Sequence, residues 1–149
     1  PGGYRAGVVA GGEDERHTLS NVLATGVYTL NHVHSSYLKE AHQTSARYAA
    51  GISEFEAVGL TPSYQRGFEA PFVAESMVQL GLRLRQVVPM TINQTTLLIG
   101  EIIHVALPPN AIGEDGFVNL ESLGTLTVSG LDSYHSTTAI ARLPYAKPT

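Results

Sequence analysis

Three short runs gather groups able to do chemistry. Arg16-His17-Thr18 stands immediately before an apolar-periodic stretch that begins at Leu19. A helix starting there presents unpaired N–H groups and the positive end of its dipole. An arginine beside that end can grip a phosphate through two parallel hydrogen bonds, and a threonine hydroxyl adds a donor. The same residues also make a plain helix start, with Thr18 as N-cap and Arg16 solvated. His42-Gln43-Thr44-Ser45-Ala46-Arg47 combines short polar side chains with loop amides, which suit a planar heterocycle bearing carbonyls and ring nitrogens; an ordinary polar loop has the same composition. The third run, Ser129 to Thr137, packs Tyr134, His135 and several hydroxyls, Ser133 among them, into nine residues. A Ser-His-Asp triad drawn from it lacks the nucleophile-elbow pattern, and triad members normally come from distant parts of a chain.

His32 and His34 lie two apart on an expected strand and so share a face. That spacing suits a metal ion, and it equally describes a half-buried polar face. There is no H-E-x-x-H, no Gly-rich dinucleotide fingerprint and no P-loop. No metal site is therefore expected.

These runs need elements to position them. A short strand is expected over Tyr4–Ala10, then a helix from Leu19 to Thr25 closed by Gly26. Val27 to Val33 is β-branched and aromatic with period-two alternation, which predicts a strand. Ser35 and Ser36 can start a helix running to about His42, and Ser53 to Val58 predicts another that ends at Gly59. Pro71 marks a turn. Val78, Leu80, Leu82 and Leu84 alternate with Gln79, Gly81, Arg83 and Arg85, the signature of a half-buried strand. The alternation breaks at Val87-Val88, where a bulge is expected. A turn at Asn93-Gln94 leads into Thr95–Leu107, a nearly continuous apolar strand expected to be buried on both faces. The two strands predict a long hairpin in a barrel wall. Gly100 within the second suggests a bend or a close approach by another group. Beyond Gly124 the chain is rich in Ser, Thr and Tyr. Helices are few and short, without β-α-β alternation, so the fold class is mainly β, a barrel with short helices.

Composition narrows the function. In 149 residues, 43% hydrophobic and 15% charged suffices for the core of one domain. The net charge of −4 comes with nine scattered basic residues, which argues against a nucleic-acid partner. The chain contains no cysteine, which removes disulfides, thiolate metal sites and Cys nucleophiles and suits a reducing cytoplasm. No apolar run approaches the roughly 20 residues of a membrane helix, so no membrane role is expected.

The run Arg16-x-Thr18-x-x-Asn21-x-x-x-Thr25-Gly26, followed by a strand reaching Asn31, resembles the flavin reductase-like family of FMN-binding split β-barrels. Downstream, 42–46, 53–62, 71–76, 99–102, 131–135 and 141–148 resemble the same family in the same order. The resemblance implies a homodimer with FMN near the subunit interface. It implies that Arg16, His17, Thr18 and Asn21 face the phosphate, and that Gln43, Thr44, Ser45 and Ala46, with Ser133, lie against the flavin. Tyr134 and His135 would then line the side from which NADH or NADPH delivers hydride, with electrons passing to a small-molecule acceptor. A split barrel that holds flavin or haem without turnover is the alternative, and a metal-assisted hydrolase using His32 and His34 is a third reading. The resemblance further implies barrel strands ahead of Pro1, part of the flavin site among them.

Overall fold

The computed structural model describes residues 5–11, 17–49 and 51–148. In chain order these form β1 (Arg5–Gly11), α1 (His17–Thr25), β2 (Val27–Asn31), a 3₁₀ turn (Ser35–Tyr37), α2 (Leu38–Gln43), α3 (Glu54–Val58), β3 (Pro62–Gln65), β4 (Phe68–Val73), β5 (Gln79–Met90), β6 (Thr95–Ala106), β7 (Leu126–Ser129) and β8 (Ser133–Ser136). The strands make one antiparallel four-stranded sheet in the order β1-β6-β5-β2 and two separate pairs, β3-β4 and β7-β8. The mainly β expectation holds, and the described strands leave the sheets open.

The spine is the β5–β6 hairpin, which the alternation at 78–84 predicts. Its register runs from Gln79↔Ala106 to Met90↔Thr95. The expected bulge lies earlier than Val87-Val88, between Leu84 and Gln86, with Arg85 as the additional residue. Arg85 points to solvent and pairs with Glu101, its Nε donating to Oε2 at 2.7 Å. A bulge re-aims a side chain in this way, and the outward Arg85 keeps its charge hydrated. β6 departs from the expectation of burial on both faces: Leu98 and Gly100 are buried, most of the rest is half-buried, and Val105 is exposed. Only one of its faces meets the core.

That core joins Val22, Tyr28, Leu82 and Leu98, flanked by Leu19, Leu30, Leu80, Leu84 and Ile102. Leu19 and Val22 stand three apart, so one stripe of α1 meets the sheet while its outer face stays in water. α1 begins at His17, which places Thr18 within the first turn rather than at the expected N-cap. The helix stops where Gly26 takes φ +72°, a left-handed conformation that glycine adopts without steric cost. The Gly26 N–H donates to the Val22 carbonyl at 2.8 Å, and its own carbonyl accepts from Leu84 N–H at 2.8 Å. One residue thus ends the helix and ties it to β5.

Tyr28 carries the longest reach in the sheet. It stands on β2 opposite Leu82, two strands away from β6, yet a Cβ built on Gly100 would lie 2.8 Å from its Cζ. Its hydroxyl donates to the Ala6 carbonyl on β1 at 3.4 Å. In a flat sheet β1 and β2 would stand about 14 Å apart at the usual interstrand spacing, farther than a phenol side chain extends. The sheet must therefore roll until its two edges close on the same ring. Gly100 is the close approach that the isolated glycine predicts.

β2 ends at Asn31 rather than Val33 because its last side chains turn to a different strand. Pro71 lies inside β4 rather than in the expected turn. Thr29 Oγ1 donates to the Pro71 carbonyl at 2.7 Å, Asn31 Oδ1 accepts from Val73 N–H at 3.1 Å, and Asn31 Nδ2 donates to Thr29 Oγ1 at 3.0 Å. Proline suits a strand that lacks a continuous backbone partner on one side. Side chains replace the ladder there, and they set Phe72, almost fully buried, against the sheet. The helix expected from Ser35 to His42 divides into the 3₁₀ turn and α2 at Tyr37, whose buried ring sends its hydroxyl to the His32 carbonyl. α3 and its Gly59 terminus stand as expected.

Two substitutions test these contacts. Gly100→Ala places a methyl inside the Tyr28 ring and is expected to cost about 1–3 kcal/mol, the usual penalty of overpacking; an unchanged urea midpoint would contradict the close approach. Asn31→Ala leaves the Val73 N–H without its acceptor and is expected to cost about 1–3 kcal/mol, measured by the same unfolding curve.

Candidate functional site

The phosphate-end residues divide at the limit of the described chain. Arg16 lies outside the described residues. His17, Thr18 and Asn21 are exposed on α1. The first turn of α1 carries no acidic residue, so among the described residues of that turn no carboxylate competes with an anion for its N–H groups. The Asn21 carbonyl accepts from Thr25 Oγ1 at 2.9 Å, and the residue is exposed.

The 43–46 run is less available than a polar loop would be. It is the unwinding end of α2, and its N–H groups turn back on the helix. Thr44 N–H donates to Glu40 and Ala41 carbonyls, Ser45 N–H to His42, and Ala46 N–H to Gln43, all within 3.0–3.4 Å. The hydroxyls do the same: Thr44 Oγ1 donates to the Ala41 carbonyl at 2.7 Å and Ser45 Oγ to the His42 carbonyl at 2.8 Å. The Gln43 amide meets the Tyr48 hydroxyl at 3.4 Å. Expected as a row of exposed amides, the turn instead offers mainly oxygen lone pairs.

Ser133, Tyr134 and His135 lie on β8, which pairs with β7 through Thr127↔His135 and Val128↔Tyr134. Strand neighbours point to opposite faces, and cross-strand partners to the same one. Tyr134 and Val128 therefore share one face, His135 and Thr127 the other. The contacts agree. Tyr134 Oη lies 3.0 Å from His42 Nδ1, with the two rings edge-on at 5.7 Å and 80°. His135 Nε2 lies 2.8 Å from Ser129 Oγ, within the hairpin itself. The structure thus brings Tyr134 to the end of α2, beside Gln43–Ala46, and sends His135 to the other face. Among the described residues, no hydrogen bond links His17, Thr18 or Asn21 to either group.

The other face of the hairpin borders a cavity of about 380 Å³, walled by Phe117, Leu120, Thr125, Thr127, Thr137 and Ala139. Arg142 closes one side. Its guanidinium lies 4.1 Å from the centre of the Phe117 ring, and it pairs with Asp115 at 2.5 Å. The Phe117 N–H and then Arg142 hold the Asp115 carboxyl below the usual carboxylate range.

His32 and His34 lie beyond the end of β2 and do not act together. His32 Nδ1 meets Thr125 Oγ1 at 3.3 Å, and its carbonyl accepts from Ser76 Oγ at 2.9 Å. His34 Nδ1 accepts from Ser36 N–H at 3.0 Å, opening the 3₁₀ turn. No group of three or more His, Cys, Asp or Glu gathers as a metal site among the described residues.

Sequence reasoning missed His42 as the partner of Tyr134, and missed the Phe117–Arg142–Asp115 cluster. A signal for β7 was present: Leu126-Thr127-Val128-Ser129 alternates apolar and polar, and Gly130-Leu131-Asp132 is turn chemistry. A strand at 126–129 sets the opposite faces of Tyr134 and His135 at once.

Burial lowers the His32 pKa from its usual value. The charged form is disfavoured in the folded state, so the unfolded chain takes up the proton first. Stability from this group is complete above about pH 6.5, the unperturbed histidine value, and declines as pH falls through it. His32→Gln, which retains a hydrogen-bonding group toward Thr125, is expected to show a shallower loss of stability between neutral and mildly acidic pH. Parallel curves for the two proteins would remove His32 as the cause.

Residues 7–126 match the flavin reductase like domain family. The putative flavin reductase with split barrel domain from Shewanella frigidimarina NCIMB 400 is 46% identical; the match covers 95% of this chain and 71% of that one, with a TM-score of 0.90. Nitrilotriacetate monooxygenase component B from Bacillus cereus superposes at a TM-score of 0.79 with 21% identity, over 93% of this chain and 70% of its own. Flavoredoxin of Desulfovibrio vulgaris (Miyazaki F) does so at 0.76 with 18% identity, over 92% and 73%; these two likenesses concern the fold. An uncharacterized protein of Aquifex aeolicus (strain VF5) is 26% identical over 106 residues, 71% of this chain and 53% of that protein. The chain thus spans about half the length of this curated relative. With its family match over residues 7–126 and its open mainly β sheets, the chain belongs to the flavin reductase-like family and has the split-barrel fold.

Proposed function

We propose that the protein containing this chain is an FMN-binding oxidoreductase that takes hydride from NADH or NADPH and passes electrons to a small-molecule acceptor. The observation that carries the reading is the family match, which spans α1, the 43–46 turn and most of the main sheet. Three features of the chain suit the cofactor. The first turn of α1 is exposed and free of acidic groups, as a phosphate requires, and Arg16 precedes it in sequence. The core fixes that helix through Leu19 and Val22, so the anion-binding end is held on a rigid element. The end of α2 presents the Gln43 side chain and the Thr44 and Ser45 oxygens at a surface shared with Tyr134.

Bound flavin supplies the redox chemistry, accepting hydride at its N5, while the protein contributes binding, orientation and electrostatics. Arg16, His17, Thr18 and Asn21 take the phosphate in this reading, and Gln43–Ala46 with Ser133 border the ring. Tyr134 stands on the hydride-donor side. His135 is reserved for a group approaching the other face of β7–β8. A homodimer suits the large apolar side chains left in water, of which Ile92, Leu143 and Tyr145 are each more than four-fifths exposed.

The full-length protein is expected to retain FMN on purification, or to gain NAD(P)H oxidation when FMN is added. Neither outcome is compatible with a carrier of some other cofactor, and failure of both removes the proposal. Arg16→Ala is expected to weaken FMN by about 1.5–3 kcal/mol, the worth of a charged hydrogen bond, and to leave riboflavin nearly unaffected. Equal losses for the two ligands would place Arg16 in the fold rather than at the phosphate.

A further inference from the structure

The Tyr134 hydroxyl is held by a residue 92 positions away in the chain, His42, and the same helix end carries the 43–46 turn. Ser45 Oγ donates to the His42 carbonyl, and Thr44 and Ser45 N–H groups close the turn around it, so the backbone bearing the imidazole is itself braced. Tyr134 is half-buried and His42 exposed, which leaves the phenol oxygen at the boundary between the hairpin and solvent. A phenol oxygen both donates and accepts, and a neutral imidazole nitrogen does one or the other. Whichever tautomer His42 adopts, one hydrogen bond is spent on it and the phenol oxygen keeps another, accepted where its O–H is donated to Nδ1 and donated where Nδ1–H is the donor. His135 cannot share this task, because it lies on the opposite face with Ser129.

We infer that His42 is a positioning residue: its Nδ1 fixes the Tyr134 hydroxyl so that the phenol oxygen is presented to the carboxamide of a nicotinamide hydride donor. The inference rests on the proposed function above, in which Tyr134 borders the donor side of the flavin. A carboxamide offers both a carbonyl acceptor and an N–H₂ donor, so it matches the one hydrogen bond that the pair leaves open in either tautomer. Without His42 the phenol loses this anchor and rotates among hydrogen bonds to water, and the donor must then order it on binding. The loss falls on donor binding and leaves flavin binding unchanged.

The test uses the full-length protein loaded with FMN and whichever of NADH or NADPH the wild type oxidises. His42→Phe retains an aromatic ring at the edge of Tyr134 and removes the hydrogen bond. It is expected to raise KM for the nicotinamide about two- to tenfold, the worth of one neutral hydrogen bond, with kcat within about twofold, the pattern of lost uniform binding. FMN affinity and Tm are expected to stay at the wild-type values. Tyr134→Phe should give the same rise, and the double variant no more than either, because contacting residues that act as one unit are not additive. His42→Gln, whose amide can accept or donate, should restore most of the loss. The inference is overturned if KM is unmoved in both Phe variants, if their effects multiply in the double variant, or if the Gln variant is as impaired as the Phe. It is equally overturned if His42→Phe lowers Tm and leaves the kinetics alone, which would make the pair only a staple between α2 and β8. A wild type that oxidises neither nicotinamide overturns the proposed function and this inference together, whereas an active wild type with unmoved variants overturns the inference alone.

Discussion

The ring of Tyr28 sets the curvature of the main sheet. It leaves β2, passes Leu82 on β5, rests on Gly100 of β6 and reaches the Ala6 carbonyl on β1. Four strands can meet one side chain only if the sheet is rolled, and a rolled sheet has a concave side on which a helix stripe can be buried. Leu19 and Val22 of α1 fill that side, together with Leu82 and Leu98. The position and direction of α1 follow, and with them the exposed first turn that the phosphate reading needs. Burial raises the Tyr28 pKa, so the phenol stays neutral through the ordinary pH range and the contact does not titrate away.

Around this centre the chain replaces backbone pairing with side-chain pairing. β4 contains Pro71 and cannot offer a full ladder, and Thr29 and Asn31 supply hydrogen bonds in its place. Ser76 and Tyr37 both donate to the His32 carbonyl, anchoring the segment that follows β2. The polar residues that end β2 are therefore structural. The Asn31 that closes the family-like run holds β4 against the sheet, a role distinct from any contact with a ligand.

The strongest periodicities were legible in the sequence. The Val78–Leu84 alternation and the Gly26 helix end rest on interactions local to a few residues, and the close approach at Gly100 is marked by an isolated glycine in an apolar strand although its partner, Tyr28, is distant in sequence; all three stand. The bulge was found only to within a few residues, because alternation reports the face of a side chain and not which backbone residue is unpaired. Pro71 reads locally as a turn because its strand is completed by side chains 42 residues earlier. The β7–β8 pair is hard to tell from a loop because its strands are only four residues long and the small polar residues between Leu126, Val128 and Tyr134 match a loop in composition. The contact between His42 and Tyr134 joins positions far apart in the chain, and no local pattern contains it. For the same reason Tyr134 and His135, neighbours in sequence, read as one group, whereas β8 sends them to opposite faces.

The spent amides at the end of α2 carry a selectivity of their own. A loop of free N–H groups would attract carbonyl oxygens and anions without much discrimination. With its N–H groups and hydroxyl hydrogens turned inward, the Thr44–Ser45 rim shows a ligand electron pairs instead. Such a rim favours the edge of a heterocycle that carries an N–H and repels one lined with oxygens. In the proposed function, in which a flavin borders this rim, its contribution is orientation rather than affinity.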